Sequence, residues 1–230
     1  MSRTVYGAEH WPVRAELDAA HDRWLDHVAA VGTWWSGAQR VAFVAALWDA
    51  LDHPTAFAAW DAPASPAGSP LPAAAFAMAH RLGRGAGTTT RAWYERTVAE
   101  LPGGAPAFVE LAALAAAGCA VATFGPALGL ARPALRQARP GEPSRVAPEL
   151  VDATMNWVPV TAPSDQRPPV VQAFSAVPAE YDAVWALAAA QYMPLEDMVR
   201  PDWQRPGSPL QRRHLELVAA RLSLVRECFY

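Results

Sequence analysis

Two thiols are available in 230 residues, Cys119 and Cys228. A cysteine becomes a nucleophile or redox centre only where its surroundings stabilise the thiolate, so position decides what each can do. Cys119 stands mid-helix among alanines and reads as a small buried hydrophobe. Cys228 stands in the final turn of an amphipathic segment, twelve positions after Glu216 and just before Phe229 and Tyr230. Other chemistries are poorly served. All 19 basic residues are arginine, which excludes a Walker-type phosphate loop, a pyridoxal Schiff base and any lysine nucleophile. Gly83-Arg84-Gly85-Ala86-Gly87 superficially resembles a phosphate loop, but no strand precedes it, so it reads as a turn between helices. The serines lack a Gly-x-Ser-x-Gly elbow. The six histidines include no His-Glu-x-x-His, and His21 and His27 miss the i, i+4 spacing of a helical metal pair, so no metal site is expected. His21 reads as a hydrogen-bonded core residue and His214 as an exposed one.

The elements that must position these residues are helices. Leu17, His21, Trp24, Val28 and Val31 recur at alternating four- and three-residue spacings, with Gly32 as a C-cap. Ser36 and Gln39 form a capping box for a helix over Ser36–Asp52, with Val44, Leu47, Trp48 and Leu51 on one face. Asp61 to Pro72 reads as a loop, and helices follow over Pro72–Leu82 and Arg91–Leu101. Pro106 to Leu128 reads as a central buried helix, apolar nearly all round. Its Glu110 is either a relay carboxylate or a first-turn residue favoured by the helix dipole, the second reading being preferred. Eight prolines within 129–169 predict an extended surface connector, along which Arg132, Arg136, Arg139 and Arg145 form a loose basic run read as a solvated face. A helix over Pro178–Tyr192 follows. The last, from Ser208 to Tyr230, has Ser208 as N-cap, Pro209 at N1 and Gln211 completing a second capping box. Leu215, Val218, Leu222, Val225 and Phe229 form its apolar stripe. With almost no β signal, the fold class is all-α. The two capped helices could be equivalent parts of a duplicated module.

Composition agrees with a helical bundle. Apolar residues make up 52% and charged residues 18%, which suits a packed core and not a disordered tail. Alanine occurs 51 times and isoleucine never, and alanine favours helix. A net charge of −3 and a pI near 6.1 give no footprint for nucleic acid. The N-terminus has no apolar signal-peptide region, and the alanine-rich stretch Ala107–Ala122 reads as a core helix in preference to a membrane span. The expected setting is the cytoplasm. Ten tryptophans, among them Trp34, Trp35, Trp48 and Trp60, either line an apolar tunnel or fill the core, the latter preferred. The apolar stripe still runs at Tyr230, so the last helix is expected to continue further than these residues.

Glu216 and Cys228 are similar to the opening of the motif of the alkylhydroperoxidase AhpD-like family, which includes the carboxymuconolactone decarboxylases: Glu, eleven residues, Cys-x-x-Cys, three residues, His. Trp34-Trp35-Ser36-Gly37-Ala38-Gln39-Arg40 resembles the start of the first module of its two-module members. Arg91-Ala92-Trp93-Tyr94-Glu95 and the helix ending Thr123 to Gly129 resemble later helices of that module, and Ala190 to Leu195 the approach to the second. The first-module redox position reads His53-Pro54-Thr55-Ala56, so that site is lost.

The resemblance implies an AhpD-like bundle with a first module over 1–130, a connector over 131–170 and a second module, incomplete, over 171–230. It implies a thiol or selenol oxidoreductase that reduces hydroperoxides with a thiol reductant, working as a homo-oligomer without bound cofactor, nucleic acid or membrane. Glu216 would be the relay carboxylate and Cys228 the resolving thiol. The peroxidatic residue would follow Tyr230 directly, as cysteine or, through a UGA codon, selenocysteine, giving a dithiol or selenenylsulfide cycle. The 230 residues alone are then expected to be nearly inactive. The alternative is a non-catalytic helical scaffold or binding subunit that kept the fold and lost the chemistry.

Overall fold

The computed structural model describes residues 5–6, 12–53, 64–151, 156–163 and 165–225. Eight α-helices are found among them: α1 (Ala15–Ala29), α2 (Gly37–Asp52), α3 (Ala73–Gly85), α4 (Arg91–Glu100), α5 (Gly104–Ala127), the single turn α6 (Pro169–Gln172), α7 (Pro178–Gln191) and α8 (Arg212–Val225). The described residues form no strand, only two isolated bridges, Val151 with Val160 and Gln204 with Gln211. The protein is all-α.

The core forms where α2 and α5 meet, with α1, α3, α4 and α7 packed around them. α2 begins as its sequence dictates: Ser36 Oγ accepts from Gln39 N at 3.3 Å and Gln39 Oε1 accepts from Ser36 N at 3.0 Å. That capping box fixes the helix start and directs Phe43, Val44 and Leu47 into the core. α5 is apolar on all sides because other helices surround it; Val109, Leu111, Leu114 and Val121 are fully buried. It is long and apolar enough to cross a membrane by length and composition, but two-thirds of its most apolar stretch is buried against the rest of the chain. The tryptophans take the core reading. Trp35 and Trp48 are buried, and each donates its indole N–H to a carbonyl of α5, that of Ala107 at 2.9 Å and of Gly118 at 3.0 Å. Trp60 lies outside the described residues.

Three expectations are corrected. Gly32 is not a left-handed C-cap. It is required for closeness, since a Cβ there would stand 1.8 Å from Glu110 Oε1 and 2.3 Å from Arg40 Nη1. The second capping box does not form: Ser208 Oγ accepts from Leu210 N at 3.1 Å, His214 Nδ1 accepts from Gln211 N at 3.0 Å, and α8 starts at Arg212. The basic run on the connector is a solvated face at Arg139 and Arg145, which are exposed, and not at Arg132 and Arg136. Arg136 pairs with Asp22 and Asp26 of α1, Arg132 holds Asp52 at the end of α2 through two bonds of 2.8 and 2.6 Å, and Arg139 N donates to Ala29 O at 2.7 Å. The connector thus begins as a strap clamped over α1 by charge.

Candidate functional site

The predicted pair separates into one described and one undescribed residue. Cys228 lies outside the described residues. Glu216 stands on the first turns of α8 with its side chain 44% exposed, accepting from Arg212 Nε at 3.0 Å. It stands near Tyr192, at the C-terminus of α7. Burial first, and then the neighbouring Glu216 carboxylate, push the Tyr192 phenol up to about 12. Arg212 spans to the carbonyl of Arg200 at 2.6 Å, and Arg205 bonds the terminal carbonyls of α7 at Ala189 and Tyr192, which satisfies a helix end that would otherwise lack partners. On the face of α8 turned away from Glu216, Leu217, Val218, Leu222 and Val225 with Arg221 line an apolar hollow of about 420 Å³. His53 pairs with Asp49 at 3.2 Å; Pro54, Thr55 and Ala56 lie outside the described residues. Cys119 is half-buried on α5, packed against the core.

Sequence reasoning missed the densest charge cluster. Arg40 of α2, Glu110 of α5 and Glu180 of α7 are all buried. One nitrogen, Arg40 Nη1, donates to Glu110 Oε1 at 2.5 Å and to Glu180 Oε1 at 2.6 Å, while Nη2 donates to the carbonyl of His27 at 3.0 Å. Glu110 Oε2 accepts from Trp34 N at 2.7 Å, and Glu180 Oε1 accepts from His27 Nε2 at 2.8 Å. Burial alone would pull the guanidinium pKa down; the charges and bonds of Glu180 and Glu110 outweigh it and hold it above its ordinary value. The two carboxyls diverge. Burial lifts Glu110 and the like charge of Glu180 adds to that, against the pull of Arg40. Glu180 is lifted by burial too, but Arg40 and His27 together prevail and hold it below the usual carboxylate range.

One guanidinium faces two carboxylates, and each bonded carboxylate oxygen accepts from N–H: Glu110 Oε1 from Arg40, Glu110 Oε2 from Trp34, and Glu180 Oε1 from Arg40 and His27. His27, one-quarter exposed, is the member that touches solvent. The reading of Glu110 as a dipole-stabilised first-turn residue is therefore replaced: it is the α5 end of an ion pair to α2. The signal was present in the sequence. Arg40, Glu110 and Glu180 are each single charges on helix faces otherwise apolar, and a charge in that position calls for a buried partner.

A second buried network pins the N-terminal segment. His21 is fully buried, with Tyr6 Oη 2.7 Å from Nδ1 and Gln191 Nε2 3.0 Å from Nε2. With Gln191 as donor, the imidazole proton sits on Nδ1 and is given to the Tyr6 oxygen. Burial lowers the His21 pKa to about 4 against the pull of Asp18, so the ring is neutral. Asp18 Oδ1 accepts from the backbone N–H groups of Val5 and Tyr6. The expected core role of His21 fits this geometry. No group of three or more metal-ligating side chains is found among the described residues.

No family model, curated protein or solved structure matches the chain.

Proposed function

We propose that this chain is an AhpD-like thiol or selenol oxidoreductase of two helical modules, with its redox centre on the α8 segment. The observation that carries the reading is Glu216: a part-exposed carboxylate held by Arg212, twelve positions before Cys228. A repeated Ser-x-x-Gln-Arg supports two modules, since Ser36–Arg40 leads into α2 and Ser208–Arg212 into α8. In this reading a thiolate or selenolate that pairs with Cys228 takes the terminal oxygen of a hydroperoxide, releasing the alcohol. Cys228 then attacks the resulting sulfenic or selenenic acid, forming the S–S or S–Se bond and releasing water. An external dithiol returns the two electrons. The 230 residues, holding only Cys119 and Cys228, are expected to show thiol reactivity with little peroxide turnover.

α8 is unbroken from Glu216 to Val225, about 14 Å along its axis, so a relay from Glu216 to Cys228 requires the chain to turn back after Val225. The test is the rate of Cys228 alkylation against pH in a Cys119→Ala background. The reading expects a midpoint well below about 8.5 that rises in Glu216→Gln. A midpoint at the free-thiol value, unmoved by Glu216→Gln, would overturn it.

A second reading is favoured by the five apolar side chains of α8 that stand 58 to 71% exposed, Leu217, Val218, Leu222, Leu224 and Val225. In it the chain is a non-catalytic scaffold whose α8 face docks on a partner surface. Its mark is an unperturbed Cys228 together with assembly through α8.

A further inference from the structure

α1 and α7 pack against each other, and along their seam lies a small cleft of about 160 Å³. The buried Ala20, Trp24 and Leu187, with Ala183, form its apolar base, and it opens to solvent at Arg23 and Ala186, both exposed. His27, the last of the α1 residues that line it, stands at one end. A long helical side chain leans over the turn before it, which sets the His27 ring above Arg23 and Trp24 and so beside the cleft. Its Nε2 is committed to Glu180 Oε1 at 2.8 Å, and Glu180 is itself held by Arg40 at 2.6 Å. The imidazole is thus fixed from behind while its side chain stays one-quarter exposed, and Nδ1 is the nitrogen left for a ligand.

Size selects first. A volume of about 160 Å³ is well under the roughly 300 Å³ at which drug-sized sites begin. At about 30 Å³ for each water it suits an occupant of about five or six non-hydrogen atoms. Charge selects next. No carboxylate lines the cleft, and Arg23 makes no hydrogen bond or ion pair among the described residues. The polar groups that face an occupant are therefore a permanent cation and an imidazole. Glu180, held ionised by Arg40 and His27, can only accept, so Nε2 carries a proton. Nδ1 donates once the ring takes a second proton from water, and a carboxylate arriving at that nitrogen favours this form. We propose that the cleft binds a short-chain aliphatic carboxylate of about four carbons, its head between Arg23 and His27 Nδ1 and its tail on Trp24 and Leu187. The cleft shares no residue with the Glu216–Cys228 reading and stands whether or not that reading does.

The experiment is an amide chemical-shift titration of the full chain with butyrate and with n-butanol, which has the same carbon chain and no charge. Butyrate is expected to shift the amides of Ala20, Trp24, Ala183 and Leu187 saturably, with a Kd on the order of 1 mM. The alcohol should bind about tenfold more weakly or worse, for want of a charge-assisted hydrogen bond. Arg23→Gln, at an exposed site with no partner to lose, should weaken butyrate about tenfold and leave n-butanol unchanged. Ala183→Leu should weaken both by about tenfold or more by filling the cleft. Shifts that grow linearly with butyrate, saturable shifts confined to other helices, equal affinity for acid and alcohol, or either variant binding butyrate like the wild type would each overturn the proposal. If Ala183→Leu fails to fold, the alcohol comparison and Arg23→Gln decide it.

Discussion

Arg40 and Glu180 are 140 residues apart in sequence and 2.6 Å apart in space. Their contact ties α7 to α2, and the same guanidinium nitrogen ties both to Glu110 on α5. Desolvating three charged groups is costly, so the cluster is a source of registry more than of net stability. Arg40→Met should therefore cost about 3–5 kcal/mol, because it strands two buried carboxylates. The triple replacement Arg40→Met, Glu110→Leu, Glu180→Leu should recover most of that loss. Urea unfolding of the three proteins checks both; a recovery that fails would mean the cluster stabilises the fold outright.

Gly32→Ala tests the same cluster from outside. The added methyl would meet Glu110 Oε1 at 1.8 Å and Arg40 Nη1 at 2.3 Å, neither of which can withdraw without breaking the ion pair. A loss on the order of 2–3 kcal/mol is expected, read as a lower urea midpoint. Val31→Ala, one position earlier at an exposed site, should be near neutral.

Acid should weaken the fold before its carboxylates titrate. His21 has an ordinary pKa of 6.5 and a folded value of about 4. Below pH 6.5 the unfolded chain takes up a proton that the folded chain refuses, so stability falls as pH drops from 6.5 to about 4 and that contribution then levels off. Each unit of the separation is worth about 1.4 kcal/mol. Glu180, held below the usual carboxylate range, adds a second loss at lower pH as it protonates. Urea midpoints across pH 7 to 4 should show the first decline in the wild type and a flatter profile in His21→Gln.

What was legible followed from whether the cause was local. The start of α2 could be read because Ser36 and Gln39 satisfy each other within one turn, and α5 because an all-apolar run of that length has nowhere to go but inside. The start of α8 could not, although Ser208 and Gln211 present the same pattern. There Ser208 caps a tighter turn at Leu210, and Arg212 is drawn to the carbonyl of Arg200. The arginines of the strap carry no local sign of their partners, since Asp52 and Asp22 lie 80 and 114 residues earlier than Arg132 and Arg136. The buried cluster falls between these cases: its members were visible as lone charges on apolar faces, but their pairing required three helices to be placed.

The strap makes its own prediction. Arg136 bridges Asp22 and Asp26 while its side chain is about one-fifth exposed, and the backbone beyond it is held at Ala29 by Arg139 N. Arg136→Ala should cost about 1 kcal/mol globally, with a larger local effect. Amide exchange at Arg139 should speed up markedly, and 131–140 should become the first site cut in limited proteolysis. High salt should reproduce part of this in the wild type by screening the pairs.

The face of α8 yields the prediction that bears most on function. Leu217, Val218, Leu222 and Val225 line one continuous apolar groove, and a packed partner would remove most of that surface from water at about 25 cal/mol per Å². Both functional readings use this face, the oxidoreductase to pack against another copy and the scaffold to hold a partner. Sedimentation of the wild type is expected to show a dimer or larger, and Leu222→Glu should yield a monomer of unchanged helicity, because it puts a charge in the middle of the apolar seam. If the wild type sediments as a monomer and Leu222→Glu changes nothing but solubility, self-association through α8 is ruled out and the scaffold reading requires a different protein as partner. If the variant is monomeric and Cys228 keeps its low alkylation midpoint, the redox segment works within one chain and the α8 contact serves assembly alone.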